Sequence, residues 1–315
     1  ADATGSSRGE VTLRGKVIQQ SRRTYDHAIN GPIGMCTEAL FRVVTVEKLE
    51  AGSLIPGHIK SRVERLFSAV GEGSDHAVSV TCRRLNWLMF IDPGWSNTQL
   101  IPMLNFQHPR SEAAWNGFLH SGNIPSPPLL EIIKPQLLGL FPKIEEFSWG
   151  GKLANVAARW LGWLRVFAWD KSYGLSCNEM RSILRAMSES TRNQFIFWLS
   201  QVGRHKENDW NKHVLPLIEE DWPRERRYRT MAATEAWVNL LGETGVNFPS
   251  VYEAVKKFLV PLETNSHSLY RFIREAAGEQ PITVLFPEKT LDLMNRITPD
   301  TLGPLAYELP KVLAL

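Results

Sequence analysis

Pairs of an aromatic residue and a proline divide this chain, and they constrain its fold more than any other feature. They occur at Phe141-Pro142, Trp222-Pro223, Phe248-Pro249 and Phe286-Pro287. Proline suits the first turn of a helix, because its missing N–H would have no partner there. The apolar residue before it can pack back onto that turn. The four pairs therefore predict four helix starts.

Apolar residues recur at helical spacing after these pairs and elsewhere in the chain. The segment 54–70 places Ile59, Val63, Leu66, Phe67 and Val70 on one face. The same spacing predicts helices at 77–91 and 111–121, and it outweighs a short strand-like alternation at 76–82. After the last two pairs the same spacing predicts two apolar helix faces. The first consists of Val251, Val255, Phe258, Leu259 and Leu262, and the second of Leu291, Met294 and Ile297.

These patterns predict an all-α fold with little or no sheet. The last three pairs lie 26 and 38 residues apart, which is close to the period of helical-hairpin repeats. Because the copies share little sequence, we expect an irregular, HEAT-like α-solenoid of stacked helical hairpins. Residues 1–32 are predicted to be a flexible lead-in and 33–315 a helical domain, with a possible sub-boundary near 145–150. The first and last residues suggest a chain cut from a longer protein.

The most apolar stretch, 153–169, is predicted to be a buried helix and not a membrane span. Arg159 and Arg165 interrupt it, and it is shorter than the ~20 apolar residues that a span needs. We expect these arginines to point outward or to pair with carboxylates.

Composition argues against several classes of protein. Thirty-six basic and thirty-three acidic residues leave a net charge of +3, which does not by itself indicate nucleic-acid binding. The three cysteines, Cys36, Cys82 and Cys177, form no CxxC motif, so neither a disulfide framework nor a zinc ribbon is predicted. The lack of a disulfide framework favours a reducing, cytoplasmic location. No cofactor is expected, since glycine-rich nucleotide loops are missing.

Candidate catalytic groups are few. His205 and His213 flank Asp209 at a spacing that could place all three on one helical face. A Cys–His pair or facing carboxylates could also meet in space. No catalytic, cofactor-binding or metal-binding residue is assigned, and a helical hydrolase with unassigned carboxylates stays an alternative.

Four arginines, Arg224, Arg226, Arg227 and Arg229, follow the Trp222-Pro223 pair. The structural interpretation is a solvated helix start, neutralised by the acids at 219–221. The functional interpretation is contact with phosphate or an acidic partner. If the chain binds nucleic acid, these arginines should join Arg83, Arg84, Arg204 and Lys206 in one basic stripe.

Several stretches resemble a bacterial helical family that follows sirtuin-like NAD-consuming domains in anti-phage defence proteins. The resemblance covers about 110–315. It is carried by HPRSEAAWNGFLHSG (108–122), PPLLEIIKPQLLGLFP (127–142), WPRERRYRT (222–230), FPSVYEAVKKFLVPL (248–262), FPEKTLDLMNRITPD (286–300) and YELPKVLAL (307–315).

The resemblance implies a sensor or scaffold module without catalysis of its own. It would regulate an N-terminal sirtuin-like domain that hydrolyses NAD, by binding a phage protein as trigger or by mediating homo-oligomer assembly. Exposed aromatics and arginines are typical of interface hot spots. The predicted partner-binding residues are Trp222, Arg224, Arg226, Arg227, Arg229 and Trp210, with Trp95 as a further exposed aromatic. Trp115 and Phe118 are predicted to lie in the core.

Overall fold

The fold is all-α, as the sequence predicts. The structure is a computed structural model, and it describes residues 11–13, 16–18, 21–45, 49–149, 151–206, 209–262 and 280–298. Within these ranges the regular structure is helical, apart from one antiparallel hairpin that pairs Val11–Leu13 with Lys16–Ile18. The predicted segment 307–315 lies outside the described residues.

The chain divides into two compact units, residues 1–160 and 161–315. The division falls inside a helix, Gly151–Phe167, and not at the predicted 145–150. The α-helices of the first unit are α1 (Tyr25–Ala28), α2 (Pro32–Thr45), α3 (Gly57–Phe67), α4 (Glu72–Cys82), α5 (Leu85–Ile91), α6 (Pro93–Trp95), α7 (Ser111–His120), α8 (Pro127–Leu138) and α9 (Leu140–Glu146).

Helix α10 (Gly151–Phe167) leads into the second unit. There follow α11 (Cys177–Ala186), α12 (Glu189–Gly203), α13 (Met231–Leu241), α14 (Phe248–Val255), α15 (Ile282–Leu285) and α16 (Pro287–Ile297). Shorter π-helical and 3-10 turns occupy Ser96–Leu100, Ile101–Leu104, Trp210–Val214, Leu217–Asp221, Arg226–Tyr228, Gly245–Asn247 and Lys256–Phe258. In this unit α12 packs on α13, and α13 on α14.

Helix α4 forms the centre of the first unit, with α1, α2, α3 and α7 packed around it. Its side chains are small, so neighbouring helices can approach its backbone closely. At Gly117 of α7 an added Cβ would lie 2.0 Å from the carbonyl oxygen of Ser79. Trp115 and Phe118, on the same helix as Gly117, are fully buried, which confirms them as core.

Three of the four aromatic–proline pairs lie at helix starts. Pro249 and Pro287 occupy the first turns of α14 and α16, and Pro142 lies in the first turn of α9. The prediction is wrong for Trp222-Pro223, because α13 begins only at Met231. Its start is set by Thr230, whose side chain accepts a hydrogen bond from the Ala233 N–H.

The predicted apolar faces are confirmed in part. Val63, Phe67 and Val251 are buried, whereas Val70 and Leu291 are largely exposed. Val70 lies beyond the end of α3, and Leu291 lies within α16, whose buried face is formed by Thr290, Leu293, Met294 and Ile297. The segment predicted as one helix at 77–91 forms two, α4 and α5, separated by a turn at 83–84.

The lead-in prediction is wrong for residues 21–32. Helix α1 lies within them, and Ala28 is fully buried. The Gly34 backbone comes so close to Ala28 that an added Cβ would meet its carbonyl oxygen. Residues 1–10 lie outside the described part of the chain.

The prediction of a buried, non-spanning helix at 153–169 is confirmed except at its end, where α10 stops at Phe167 and both Phe167 and Trp169 are exposed. Arg159 is exposed, and Arg165 pairs with the carboxylate of Asp221. Among the described residues, no helix combines the length and the hydropathy needed to cross a membrane.

Candidate functional site

The predicted partner-binding tryptophans are buried, so that part of the prediction is wrong. Trp222 is 2% exposed, and its ring lies 4.7 Å from that of Trp237, centroid to centroid. Trp210 is 3% exposed and fits over Gly203, where an added Cβ would lie 2.5 Å from the indole. Trp95 is also buried, and its indole N–H donates to Glu64.

The four arginines are exposed, as predicted. Arg224 donates to the backbone carbonyl of Glu219, and Arg229 donates to that of Arg224. Arg227 lies over the ring of Tyr228. Within the described residues no carboxylate forms an ion pair with any of the four, so the structural interpretation that residues 219–221 neutralise them is wrong.

The acids before the cluster serve another cation. Arg165 bonds to Asp221 through its ε nitrogen at 2.7 Å, and to Glu220 at 3.2 Å. The arginines are therefore a positive surface that suits an anionic group. Lys257 adds to this positive surface. Burial lowers the pKa of Lys257, and the charge of the nearby Arg224 lowers it further.

Other members of the predicted basic stripe are engaged locally. Arg84 pairs with Glu38 at 2.6 Å, and Arg204 pairs with Glu243. Arg83 lies over the ring of Tyr25. Such contacts offset the charges that a nucleic-acid stripe would need.

A large concavity lies in the second unit, and we call it the aromatic cleft. Its volume is about 710 Å³, within the usual range for ligand sites. Helices α10 and α12 form its walls, and residues 205, 206, 209, 212 and 213 complete the lining together with Trp169. The lining residues are Trp163, Val166, Phe167, Trp169, Trp198, Gln201, Val202, His205, Lys206, Asp209, Lys212 and His213.

Helical spacing explains how the walls arise. Trp163, Val166 and Phe167 follow one another at three and four residues on α10, so they share one face. Trp198 and Val202 do the same on α12. The two helices approach closely at Gly162, where an added Cβ would lie 2.6 Å from the Trp198 ring.

The aromatic side chains of the cleft are unusually open to solvent. Trp169 is 68% exposed and Phe167 is 42% exposed. Phe167 contacts the ring of His213, with centroids 4.9 Å apart. A large aromatic left exposed beside a concave surface is typical of a binding site.

Asp209 is the buried polar group of the cleft. It is 6% exposed, and its Oδ2 atom has no hydrogen-bond partner. His205 and His213 lie 3.6 and 3.7 Å from its carboxylate oxygens. Both histidines therefore lie beside Asp209, although His205 follows the end of α12 and does not belong to one helix with His213. Burial lowers the pKa of His213, although Asp209 opposes this, so the imidazole is neutral at pH 7.

A smaller cavity of about 290 Å³ adjoins the cleft and shares Trp169 and His213 with it. Arg165 and Glu220 also line it. The Arg165 guanidinium donates to the sulfur of Cys177 at 3.1 Å, and the thiol donates to Glu220 at 3.3 Å.

This cluster includes a set of potential metal ligands. The possible ligand atoms of Cys177, Glu220 and Asp221 lie within 4.8 Å of one another. No other group of three His, Cys, Asp or Glu residues in the described part of the chain is as close together. The Arg165 guanidinium already contacts all three, so it supplies the positive charge that a cation would bring. The cluster is therefore complete as an ion-pair network.

None of the cysteines shows the features of an activated nucleophile. Burial raises the pKa of the Cys177 thiol, and the bond to Glu220 raises it further. Burial also raises the pKa of Cys82 to about 12. Cys36 is exposed.

A smaller polar cavity of about 160 Å³ lies in the first unit. Asp26 and His120 line it, and the His120 Nε2 atom lies 3.8 Å from an Asp26 carboxylate oxygen. Burial lowers the pKa of His120, while a bond to the Asn116 carbonyl opposes the shift. The groups largely satisfy one another, so this cavity is the weaker candidate.

Sequence reasoning missed the aromatic cleft. The helix predicted to be buried at 153–169 includes Trp163, Phe167 and Trp169, and no role is predicted for Trp198. The 11 Trp and 14 Phe residues are nevertheless many for one core. The spacing of Trp163 and Phe167 was visible, but spacing does not tell whether a face meets another helix or solvent. Comparison of the chain with protein-family models, curated proteins and solved structures finds no match.

Proposed function

We propose that this chain is a recognition module without catalysis of its own, and that it reads its signal in the aromatic cleft. The observation that carries this proposal is the cleft itself, a cavity of about 710 Å³ that contains the exposed Trp169 and the buried Asp209, whose Oδ2 atom has no hydrogen-bond partner. Apolar walls with a few placed polar groups are the usual form of a ligand site.

The resemblance supplies the context of the proposal. The module would regulate a sirtuin-like, NAD-hydrolysing domain of a longer bacterial defence protein. A phage component would be the trigger, and occupation of the cleft would favour one arrangement of the protein over another. A ligand shifts such an equilibrium by its difference in affinity for the two states.

What supports a non-catalytic role is the state of the reactive groups near the cleft. The Cys177 thiol has a raised pKa, and Arg165 is held by Asp221. A nucleophilic thiol needs a lowered pKa, whereas burial and the bond to Glu220 raise the pKa of Cys177.

An NAD-consumption assay on the purified chain and on the longer protein tests this proposal. We expect the chain alone to consume no NAD, and the longer protein to consume it when phage components are present. NAD consumption by the chain alone would overturn the non-catalytic assignment. A longer protein without an NAD-consuming domain would overturn the regulatory role.

A further inference from the structure

The aromatic cleft places three chemical demands on its occupant. The first comes from its aromatic walls. Trp169 and Phe167 expose ring surface, and Trp163 lies one turn before Phe167. Flat rings stack on such side chains, and a nucleobase does so regardless of its identity.

The second demand comes from Asp209. Its Oδ2 atom is buried and lacks a hydrogen-bond partner, which is a costly state for a carboxylate. The Nδ1 atom of His205 lies 3.6 Å from this oxygen, beyond hydrogen-bond distance, and burial lowers the pKa of His213, which faces the other carboxylate oxygen. A ligand N–H that reached Asp209 would satisfy it.

The third demand comes from the exposed side of the cleft. Lys206 and Lys212 line it, and neither forms an ion pair within the described part of the chain. Two lysines without carboxylate partners repel a cationic ligand and attract an anionic one. A purely apolar peptide would satisfy neither these lysines nor Asp209.

We infer that the aromatic cleft binds an anionic ligand with a planar, N–H-bearing ring, which is the chemistry of a nucleotide. The ring stacks between the aromatic walls, its N–H donates to Asp209, and the phosphates contact Lys206 and Lys212. This inference rests on the proposed function, since it names the class of ligand that the same cleft takes.

Calorimetric titration of the purified chain with ADP tests the inference. We expect ADP to bind more tightly than either adenosine or pyrophosphate, because each of those keeps only part of the complementarity. Purine riboside, which lacks the amino N–H, should bind more weakly than adenosine. Failure of ADP to bind up to roughly millimolar concentration, or tight binding of choline in its place, would overturn the inference.

Two sets of variants separate the contributions. Lys206→Ala/Lys212→Ala should weaken ADP roughly tenfold or more and leave adenosine unchanged. Trp169→Ala should weaken both ligands by a similar factor. All three residues are exposed, so the fold should survive.

Matched controls exclude general effects. Lys143→Ala/Lys289→Ala removes the same charge outside the cleft lining, and Phe197→Ala removes an exposed aromatic that does not line it. Both should bind ADP as the parent chain does. An equal loss of ADP affinity in the lysine control would show that binding depends only on the net charge of the chain, and it would overturn the inference.

The two proposals fail in different ways. If ADP does not bind but Trp169→Ala still abolishes triggered NAD loss in the longer protein, the cleft is regulatory and its ligand is of another class. If ADP binds but the variant leaves that NAD loss intact, the ligand class holds and the regulatory role fails.

Discussion

At the residue scale, the pair formed by Arg165 and Asp221 is the clearest case of a buried charge with its partner. The Asp221 side chain has no exposed surface, and that of Arg165 is 14% exposed. Burial raises the pKa of Asp221, while Arg165 opposes the shift. Removing one member of such a pair leaves an uncompensated charge in a poorly solvated site.

Arg165→Ala should lower the free energy of unfolding by about 3–5 kcal/mol at neutral pH. A carboxyl group with a raised folded-state pKa stabilises the fold when protonated and destabilises it as pH rises through that pKa. The loss should therefore be smaller at about pH 5 than at about pH 7.5. Denaturant unfolding at both pH values measures it.

Arg185→Ala is the matched control. Arg185 pairs with Glu225 at 2.6 Å, but both side chains are 39% exposed. Water and salt screen such a pair, so its loss should be much smaller and nearly independent of pH. A loss for Arg165→Ala as small as that of the control would contradict the role given to Asp221.

The sequence could indicate that Arg165 needs a partner, but not which one. Asp221 lies 56 positions away, and such pairing depends on how separate helices pack. The same limit explains Trp210 and Trp222. Polar neighbours in sequence suggested exposed tryptophans, whereas Gly203 and Trp237 provide the space and the contacts that bury them.

At the element scale, helices α4 and α7 of the first unit approach each other closely. This approach depends on Gly117, because its α-carbon faces the backbone of Ser79. Neither a rotamer change nor a small side-chain movement can relieve a clash with backbone. Small residues at a helix crossing let the two axes approach.

Gly117→Ala should destabilise the chain by about 1–3 kcal/mol or more, because the new methyl group would force α4 and α7 apart. Thermal or denaturant unfolding measures the loss. Gly57→Ala is the control, since an added Cβ there meets no atom within 4 Å. It should leave stability unchanged or slightly raised. Equal midpoints for the two variants would contradict the close approach.

Helix starts were predictable where local chemistry decides them. Pro249 and Pro287 lie in first turns because proline costs nothing there. At Trp222-Pro223 two non-local contacts override the signal. Asp221 is held by Arg165 and Trp222 by Trp237, and no α-helix begins at Pro223. A 3-10 turn at Arg226–Tyr228 follows, and Thr230 then caps α13.

At the scale of the whole molecule, the helical class followed from periodicity, but the candidate site did not. The amphipathic pattern shows which faces are apolar. It does not show that α10 and α12 leave part of theirs uncovered, so that Trp169 and Phe167 line an open cleft. That outcome depends on packing across the whole second unit.

The most direct test of the proposed recognition role is NAD consumption by the proposed longer protein during phage challenge, comparing Trp169→Ala with Phe197→Ala. Both positions carry large exposed aromatics, at 68% and 53% exposure, but only Trp169 lines the cleft. If the cleft receives the signal, Trp169→Ala should abolish triggered NAD loss and Phe197→Ala should preserve it. Undiminished NAD loss in Trp169→Ala would contradict the role proposed for the cleft.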